Sequence, residues 1–422
     1  MAAAPVSRPV RAHYTLVVLT LIYLCSNIDR SLMAVLLEPI RHEFGLSDTQ
    51  LGLLSGLAFA VVFGTAGIPL GILADRTSRR KLIAAALVVW AGASALCGVA
   101  QNFVQLLLFR VGVGAGEAAG SPAAMSMVSD LYPAHQRGTA MAFYYLATAI
   151  GAAAAFAAGG WLSDHYGWRA AFILLSVPGL LLAFVVWLTV REPARGAGDG
   201  QAASPSPPLR EVVRFITSQR ALLLIFGALT INSFVASGMS AWITSFLVRA
   251  HGMTLEAAGP LIGSVYGVLG MAGTFLGGVL SDLLARRDER ARAWLLGGST
   301  LLSVPAVLLL VQATTIPMAA TGLAGFAFLT AVPFGAGYAV CQSLVRPAMR
   351  ATSAAIMYLL TNLVGYGLGP PGIGLGSDWL GAGGLGSAMF AAGSINLLSA
   401  LFYVMAARSI RADFRTAAAP QP

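Results

Sequence analysis

Charged residues are scarce in this sequence. Only 10% of its 422 residues are Asp, Glu, Lys or Arg, whereas 57% are hydrophobic; an average soluble domain has about 25% charged residues. A soluble core could not bury so much apolar surface, but a lipid bilayer can. Twelve membrane-spanning helices need about 240 apolar residues, which leaves room here for short loops and one linker. The composition predicts an all-α membrane protein with almost no soluble domain.

Lysine, cysteine and enzyme motifs are also rare or missing. Lys81 is the only lysine, and the excess of arginine, alanine and glycine is typical of a GC-rich bacterial genome. The three cysteines lie in apolar runs without metal-ligand spacing, so neither a disulfide framework nor a metal site is expected. HExxH, GxSxG and phosphate-binding glycine-rich loops are absent, which argues against an enzyme and predicts no cofactor.

Apolar runs separated by charged residues or by proline and glycine predict twelve spans. The first six lie near 14–37, 50–74, 81–100, 103–130, 137–163 and 168–190, and the second six near 220–248, 256–285, 291–311, 315–345, 350–375 and 386–407. Residues 1–190 are therefore predicted to form one six-helix bundle and residues 220–422 a second. The intervening 191–219 reads as a flexible linker followed by a short amphipathic helix on the membrane surface, from Leu209 to Ser218.

Arginine placement predicts the topology. If both termini are cytoplasmic, only Arg41, Arg169 and Arg249 lie outside, and Arg30 and Arg110 lie within spans. All other basic residues then face the cytoplasm, as the positive-inside rule requires. The net charge of +9 is thereby explained without a nucleic-acid partner.

A small-residue helix face followed by aspartate occurs four times. The aspartates are Asp75, Asp164, Asp282 and Asp378, at the ends of predicted spans 2, 5, 8 and 11. The repeating unit is therefore three spans, inverted within each half, and the two halves are parallel. Two related bundles with a substrate path between them are the expected architecture.

The segment from Gly71 to Lys81 resembles the signature of the major facilitator superfamily, with Ser78 in place of a usual glycine. The first half also resembles the Spinster-like lipid transporters, through Asp29-Arg30, the run from Arg110 to Ala118, Ser129-Asp130 with Pro133, and Gln136-Arg137. Ala119-Gly120 depart from the expected Ser-Tyr, and the second half matches at superfamily level only. The resemblance implies the major facilitator fold, with sphingolipids or lysophospholipids as a substrate class. Together with the bacterial composition, we expect a location in a bacterial inner membrane.

The resemblance also implies gating residues. An intracellular latch would contain Asp75, with Arg76, Arg79 and Arg80, and the aspartate would meet a helix N-terminus of the other half. Its second-half counterpart would contain Asp282, Arg286 and Arg287. Small residues and proline in span 11 would seal and bend the outer gate; these are Gly365, Gly369 and Pro370. Helix packing alone, or topological anchoring for the loops, is the simpler alternative.

Four charges lie within predicted spans, all in the first half. Arg30 and Arg110 are predicted to bind an anionic head group, because guanidinium pairs bidentately with phosphate or carboxylate. Asp29 and Glu117 would neutralise these arginines when the site is empty, and Glu117 would take up a proton when substrate competes for its partner. The five histidines are predicted to be loop or tail residues. The alternative is that the four charges only hold spans 1 and 4 together.

The spans of the second half offer uncharged polar side chains instead. Candidate substrate contacts are Asn232, Tyr338, Gln342, Tyr358, Asn362 and Tyr366. Each could equally satisfy an interhelical hydrogen bond. One charged wall and one apolar wall would suit an amphiphile.

These observations predict a secondary transporter of an anionic amphiphile, a lysophospholipid or sphingolipid-like molecule, that works by alternating access and is coupled to protons. The alternative is a proton-coupled carrier of a small organic anion or hydrophobic compound. A receptor or sensor is disfavoured, because there is no sizeable soluble domain to signal through. The expected partners are the substrate, protons and the lipid bilayer, and the chain is expected to act as a monomer.

Overall fold

The computed structural model describes residues 9–194 and 208–418, and within them every regular element is a helix. The helices of the first part are α1 (Pro9–Val35), α2 (Leu37–Phe44), α3 (Asp48–Gly52), α4 (Ala58–Arg76), α5 (Arg79–Cys97), α6 (Phe103–Leu131) and α7 (Ala134–Thr189). Those of the second are α8 (Leu209–Ser218), α9 (Arg220–His251), α10 (Leu255–Ser264), α11 (Met271–Ala285), α12 (Arg290–Val311), α13 (Ile316–Ser343), α14 (Arg350–Leu360), α15 (Gly367–Leu380), α16 (Gly384–Ser394) and α17 (Asn396–Ala418).

In the described part of the chain, three spans are continued through a π-helical turn. These turns are Leu53–Leu57 between α3 and α4, Val265–Gly270 between α10 and α11, and Thr361–Tyr366 between α14 and α15. They lie in spans 2, 8 and 11, which are equivalent positions of the predicted three-span repeat. π-Helical turns are rare and concentrate at functional sites.

Within residues 9–194 and 208–418, ten helical stretches have the length and hydropathy to cross a bilayer. One of them, Gln136–Thr189, has 54 residues, about 80 Å of helix, which is enough for two crossings. Gly167 divides it, because its φ of 83° lies in the left-handed region that glycine tolerates. The π-helical turn and Pro370-Pro371 interrupt α14–α15, which supplies the remaining crossing. The predicted all-helical fold with twelve spans is confirmed.

Two compact units divide the chain. The first comprises Met1–Leu46, Leu53–Ala203 and Met253–Gly263, and the second comprises Ser47–Gly52, Ser204–Gly252 and Ser264–Pro422. In the first unit α1 packs on α7 and α5 on α6, and in the second α9 packs on α17 and α12 on α13. By sequence order, residues 47–52 would belong to the first unit and residues 253–263 to the second. In the structure, each segment belongs to the other unit. The predicted boundaries at 190 and 220 stay a prediction.

The amphipathic helix predicted from Leu209 to Ser218 is present as α8. Val212, Phe215 and Ile216 are buried against the core of the second unit, while Leu209 and Val213 are exposed. One broad apolar face of α8 therefore has a buried part and an exposed part. The predicted flexible linker before it falls mostly on residues 195–207, which lie outside the described residues.

The predicted loop positions of the histidines are wrong. His13 lies in α1, where its Nδ1 is 2.8 Å from the Tyr132 hydroxyl. His42 and His251 occupy the last turns of α2 and α9, and His165 lies inside α7. Helix ends extend a few residues past the apolar runs, because polar residues in the terminal turns remain helical.

Candidate functional site

Two ion pairs join α1 to α6 inside the first unit. Arg110 Nη1 lies 3.1 Å from Asp29 Oδ2, and Arg30 Nη2 lies 2.5 Å from Glu117 Oε2. Seven residues separate Arg110 from Glu117, which is two helical turns, so both project from one face of α6. The four charges predicted from the sequence are therefore together, and each has a partner of opposite sign.

The two pairs differ in exposure. The side chains of Arg110 and Asp29 are 1% and 4% exposed, and Ser94 of α5 donates a further hydrogen bond to Asp29. The Arg30 side chain is 25% exposed, although that of its partner Glu117 is only 1% exposed. Arg30 is the one member of the four that a ligand can reach without breaking the packing.

Two phenylalanines of α4 lie beside Arg30. Its guanidinium carbon is 4.9 Å from the centre of the Phe59 ring and 5.0 Å from that of Phe63. The rings are one helical turn apart and stack on each other, with centroids 5.3 Å apart. A cation over an aromatic face is attracted to it, so the rings fix the arginine and place apolar surface next to its charge.

A tyrosine cluster lies further along α1 and α7. Tyr23 stacks on Tyr144 with ring centroids 4.6 Å apart, and Tyr145 meets both rings edge-on. Asn27, one turn from Tyr23, donates to its carbonyl oxygen over 2.7 Å. Sequence reasoning missed these tyrosines and the two phenylalanines, because aromatic residues in an apolar span are usually lipid-facing or core.

The polar residues predicted in the second unit fall into two groups. Asn232 is fully buried and donates to the Thr330 carbonyl over 3.0 Å, which is the interhelical bond of the simpler alternative. Asn362 donates to the carbonyl of Tyr358, one turn earlier in its own span, over 2.9 Å. Both amides thus have protein partners for a donor group.

The remaining candidates lie nearer the surface of the second unit. Tyr358 and Tyr366 are about half exposed, at 48% and 52%, and Gln342 is half-buried. The half-buried Tyr338 hydroxyl is 3.1 Å from Thr361 Oγ1. Tyr266 was missed by sequence reasoning: it sits in the π-helical turn Val265–Gly270, and its buried hydroxyl has no hydrogen-bond partner among the described residues.

Arg79, predicted to gate, is held inside the first unit. Its guanidinium donates to Asp130, to Glu192 Oε1 over 3.1 Å and to the Pro193 carbonyl over 2.8 Å, and it is only 2% exposed. Burial alone would raise the pKa of Glu192, but hydrogen bonds from Ser78 and from Arg79 lower that pKa below its ordinary value. Sequence reasoning missed this acceptor at the end of α7.

The other predicted latch residues whose side chains the structure describes are more exposed than Arg79. Arg76 is exposed, and Arg80 reaches the Val190 carbonyl at 3.5 Å. Asp282 is exposed and lies 3.5 Å from Arg292, and the neighbouring Arg286 and Arg287 are exposed as well. The side chain of Asp75 lies outside the described part of the chain.

Aspartate at a helix N-terminus, the contact expected for Asp75, occurs at the other two repeats. Asp378 accepts the backbone N–H groups of Asp48 and Thr49, at 3.0 and 2.8 Å, at the start of α3. Asp164 accepts the N–H of Glu256 at 2.7 Å, in the first turn of α10. A carboxylate here accepts from backbone N–H groups that have no partner within the helix, and its negative charge interacts favourably with the positive end of the helix dipole.

Span 11 packs closely on α9, as its small residues predict. A Cβ on Gly365 would lie 2.5 Å from that of Ser233, and Ser237 donates to the Gly365 carbonyl over 2.8 Å. Trp242 donates to the Pro370 carbonyl over 2.8 Å. Side chains of α9 thus donate to carbonyl oxygens of span 11 beside its prolines, and Gly369 lies at the same contact.

Comparison with known proteins identifies the family. The sequence profile described as "Major Facilitator Superfamily" matches residues 19–370. The chain belongs to this superfamily. A crystal structure of a bacterial homologue of the human lysosomal transporter Spinster, inward-facing and occupied, superposes with a TM-score of 0.87 at 30% identity, over 96% of this chain and 99% of that one.

Curated relatives point to more than one kind of cargo. An MFS-type efflux pump of Mycolicibacterium smegmatis is 31% identical over 412 residues, 96% of this chain and 95% of that protein. A probable L-galactonate transporter of Escherichia coli is 28% identical over 353 residues, 80% of this chain and 76% of that protein. The chain is thus a multi-pass membrane transporter of the superfamily and similar to Spinster, as predicted, in a family of transporters rather than enzymes.

Proposed function

We propose that this transporter moves an anionic amphiphile, a lysophospholipid or sphingolipid-like molecule, by alternating access coupled to protons. The observation that carries the proposal is the environment of Arg30: a partly exposed guanidinium, paired to a buried carboxylate and lying over two phenylalanine rings. Charge and apolar surface meet at one point, which is what a molecule with a charged head and an apolar tail requires.

Arg30 binds the head group in this proposal. Its side chain is 25% exposed, and a guanidinium offers forked donors that match phosphate and carboxylate oxygens. Arg110 was predicted to share this task. Because it is 1% exposed and bonded to Asp29, which also binds Ser94, we assign the Arg110–Asp29 pair a positioning role: it fixes α1 against α5 and α6 so that Arg30 faces the ligand.

Glu117 carries the proton in this proposal. Its carboxylate is almost completely buried, and Arg30 is its ion-pair partner. An anionic head group that competes for Arg30 would leave this carboxylate buried without its counter-charge, and a buried carboxylate without a partner favours the neutral, protonated form. Substrate binding and proton uptake at Glu117 would then be linked.

The apolar tail has candidate contacts in each unit taken separately. Phe59 and Phe63 flank Arg30 in the first unit, and the half-exposed Tyr358 and Tyr366 offer aromatic surface in the second. Tyr338 and Gln342 remain candidates for weaker polar contacts. Asn232 is proposed to act through helix packing, since it donates to the Thr330 carbonyl of α13. Asn362 is proposed to act within its own span, where it donates to the Tyr358 carbonyl.

A small organic anion is the second candidate. It is supported by the similarity to a probable L-galactonate transporter, and Arg30 with Glu117 would serve a sugar acid equally well. A hydrophobic compound carried outward would instead fit the similarity to an MFS-type efflux pump. The two phenylalanines favour the amphiphile over the sugar acid, because a polyol gains little from apolar rings.

Transport by purified protein in liposomes tests the proposal. We expect uptake of radiolabelled lysophosphatidylglycerol driven by a pH gradient, loss of uptake in Arg30→Ala, and substrate exchange without proton movement in Glu117→Gln. Phe59→Ala should weaken lysolipid uptake more than uptake of a short organic acid. Arg408→Gln, an exposed arginine of α17, is the control and should transport normally.

Three results would contradict it. Full uptake by both Arg30→Ala and Glu117→Gln would remove the ion pair from the mechanism. Transport of galactonate but of no lysolipid would favour the small-anion carrier. Uptake that does not depend on the pH gradient would show that transport is not coupled to protons. In each case, wild-type protein in liposomes without a pH gradient sets the background.

The predicted orientation and gates belong to the same proposal. Both termini are proposed to be cytoplasmic, in the inner membrane of a bacterium, since arginines concentrate on that side of the predicted spans. Asp75 and Asp282, with the arginines that follow them, are proposed to control opening on this side. Labelling of a cysteine introduced at Ser7 or at Ala418, in intact and in permeabilised cells, tests the orientation.

A further inference from the structure

A cavity of about 460 Å³ lies in the second unit between the linker helix α8, α9 and α14. This volume is within the range of about 300–1,000 Å³ that is typical of ligand pockets. Its walls include Ile216 and Thr217 of α8, Phe226 and Thr230 of α9, and Ile356 of α14. It is remote in sequence from the Arg30–Glu117 pair, which belongs to the first unit.

The cavity wall is almost entirely apolar. Its two hydroxyl groups are turned toward their own helices: Thr217 donates to the Val213 carbonyl over 3.0 Å, and Thr230 donates to that of Phe226 over 2.8 Å. No polar group is therefore spare to recognise a polar ligand inside. The chemistry of the wall fits a hydrocarbon segment.

The cavity extends along α9, from Leu223 to Ile231. Arg220 begins α9 and Ile231, which lines the cavity, lies eleven residues further on. Eleven residues of helix rise about 16 Å, half the thickness of the hydrocarbon core. Its open side carries exposed apolar residues, with Val213 and Leu223 both 42% exposed and Leu360 38% exposed. A chain that enters from the interface would reach the middle of the bilayer.

Basic residues lie on α8 and at the start of α9, the two cavity-lining helices that follow the linker. Arg210 and Arg214 of α8 are exposed, and at about 100° per residue both lie on the side of the helix that carries Thr217. Arg220 begins α9 and is also exposed. Glu211 is the one acidic residue of α8, and it points about 160° away from Val213. An anionic group at the entrance would meet positive charge.

We propose that this cavity binds one acyl chain of an anionic membrane phospholipid, with the lipid phosphate held by Arg210 and Arg214. The apolar wall takes the chain, and the arginines select the head group, as basic pockets between spans do for anionic lipids. The lipid would fasten α8 to α9 and α14 and so connect the linker to span 11. The site does not depend on which substrate is transported.

Native mass spectrometry of purified protein tests this site, with phosphatidylglycerol and phosphatidylcholine as probes. Wild type is expected to retain one phosphatidylglycerol and to bind phosphatidylcholine more weakly. Each arginine near an anionic lipid raises the affinity by about five-fold. The double variant Arg210→Gln with Arg214→Gln should therefore weaken phosphatidylglycerol binding by about 30-fold. Val213→Trp should abolish retention by filling the cavity.

Matched variants separate the site from general surface effects. Arg408→Gln with Arg415→Gln removes two exposed arginines of α17, and Val89→Trp adds a tryptophan at an exposed position of α5. Both should bind lipid as wild type does. If Val213→Trp fails to fold, Leu360→Trp fills the same cavity from α14.

Two outcomes would overturn the proposal. The first is undiminished phosphatidylglycerol retention in a folded, cavity-filled variant. The second is equal binding of phosphatidylcholine and phosphatidylglycerol by wild type, which would make the cavity an unselective contact with bulk lipid.

Discussion

Arg249 and Asp48 form a bidentate ion pair in the second unit, with Nη1–Oδ2 and Nη2–Oδ1 distances of 2.7 and 2.8 Å. The Asp48 side chain is 5% exposed, and Ser377 donates to it over 2.6 Å. The pair fastens the short helix α3 to the end of α9. The predicted topology puts Arg249 on the outer side of the membrane, where the positive-inside rule makes arginine rare, and the ion pair with Asp48 neutralises its charge.

Breaking this pair is expected to destabilise the protein. Arg249→Gln leaves the Asp48 carboxylate buried without its counter-charge, which costs about 2 kcal/mol, the range for hydrogen bonds to charged groups. Asp48→Asn should cost a similar amount, and a double-mutant cycle should give a coupling energy of about 1–2 kcal/mol. Equilibrium unfolding in mixed micelles measures all three.

Arg169 and Glu43 supply the control for that prediction. They also form an arginine–carboxylate pair, through one hydrogen bond from Arg169 Nη1, but their side chains are 36% and 43% exposed. The hydrogen bond from Arg169 is the main cause of the lowered pKa of Glu43. Because solvent screens exposed pairs, their coupling energy should be about 0.2–1 kcal/mol. Equal coupling in the two pairs would contradict the importance of burial.

Asp378→Asn is expected to loosen the start of α3. The aspartate accepts two backbone N–H groups there, at Asp48 and Thr49, and a third bond of 2.6 Å from the Thr49 hydroxyl. Removal of its charge from the helix N-terminus should cost about 1 kcal/mol. Hydrogen exchange of a peptide that covers residues 47–52 should accelerate several-fold.

The exposed Asp282 is the matched control for Asp378. Both close a copy of the same sequence pattern, but the Asp282 side chain is 77% exposed and lies 3.5 Å from Arg292. Asp282→Asn should change stability by less than about 0.5 kcal/mol. Unchanged exchange at residues 47–52 in Asp378→Asn would show that the capping bonds contribute nothing there.

The sequence alone predicts the fold and part of the site. Twelve spans follow from hydropathy, since a bilayer demands about 20 apolar residues for each crossing. Arg110 and Glu117 could be placed on one helix face because seven residues make two turns. The pairing of Arg30 with Glu117, and of Arg110 with Asp29, depends on the rotation of α1 against α6, which sequence spacing does not determine.

Other features leave no signal that separates them from their surroundings. Phe59 and Phe63 are two of many apolar residues in span 2, so only the position of Arg30 reveals them. Asp378 was found by its repeat, but its partner lies 329 residues away at Thr49. A cap is recognisable from sequence only when it lies next to its helix.

Gly116→Ala is expected to separate spans 3 and 4. A Cβ at Gly116 would lie 2.6 Å from both the backbone nitrogen and the Cβ of Trp90, so α5 and α6 would have to move apart. Overpacking of this kind costs about 1–3 kcal/mol. Gly120→Ala, one turn further along α6, is the control, because its Cβ would meet that of Ala86 at an ordinary 3.5 Å.

Gly116→Ala is also expected to lower transport. Glu117 follows Gly116 directly, so a displaced α6 would pull the carboxylate from Arg30 and lower transport as well as the melting temperature. Gly120→Ala should keep wild-type values of both, or be slightly more stable, since alanine favours helix over glycine by about 1 kcal/mol. Identical melting temperatures for the two variants would refute the close approach of α5 and α6.

Acid is expected to weaken the cluster around Arg79 through Glu192. Hydrogen bonds from Ser78 and Arg79 outweigh burial and lower the pKa of this carboxyl below its ordinary 4.5. A lowered folded-state pKa means that the stabilisation is complete above pH 4.5 and is lost as the pH falls through the folded value. Glu192→Gln should therefore be less stable than wild type at pH 6, by about 1 kcal/mol or less because the side chain is 25% exposed. The difference in melting temperature should shrink toward pH 4, whereas a constant difference would mean that the charge of Glu192 contributes nothing.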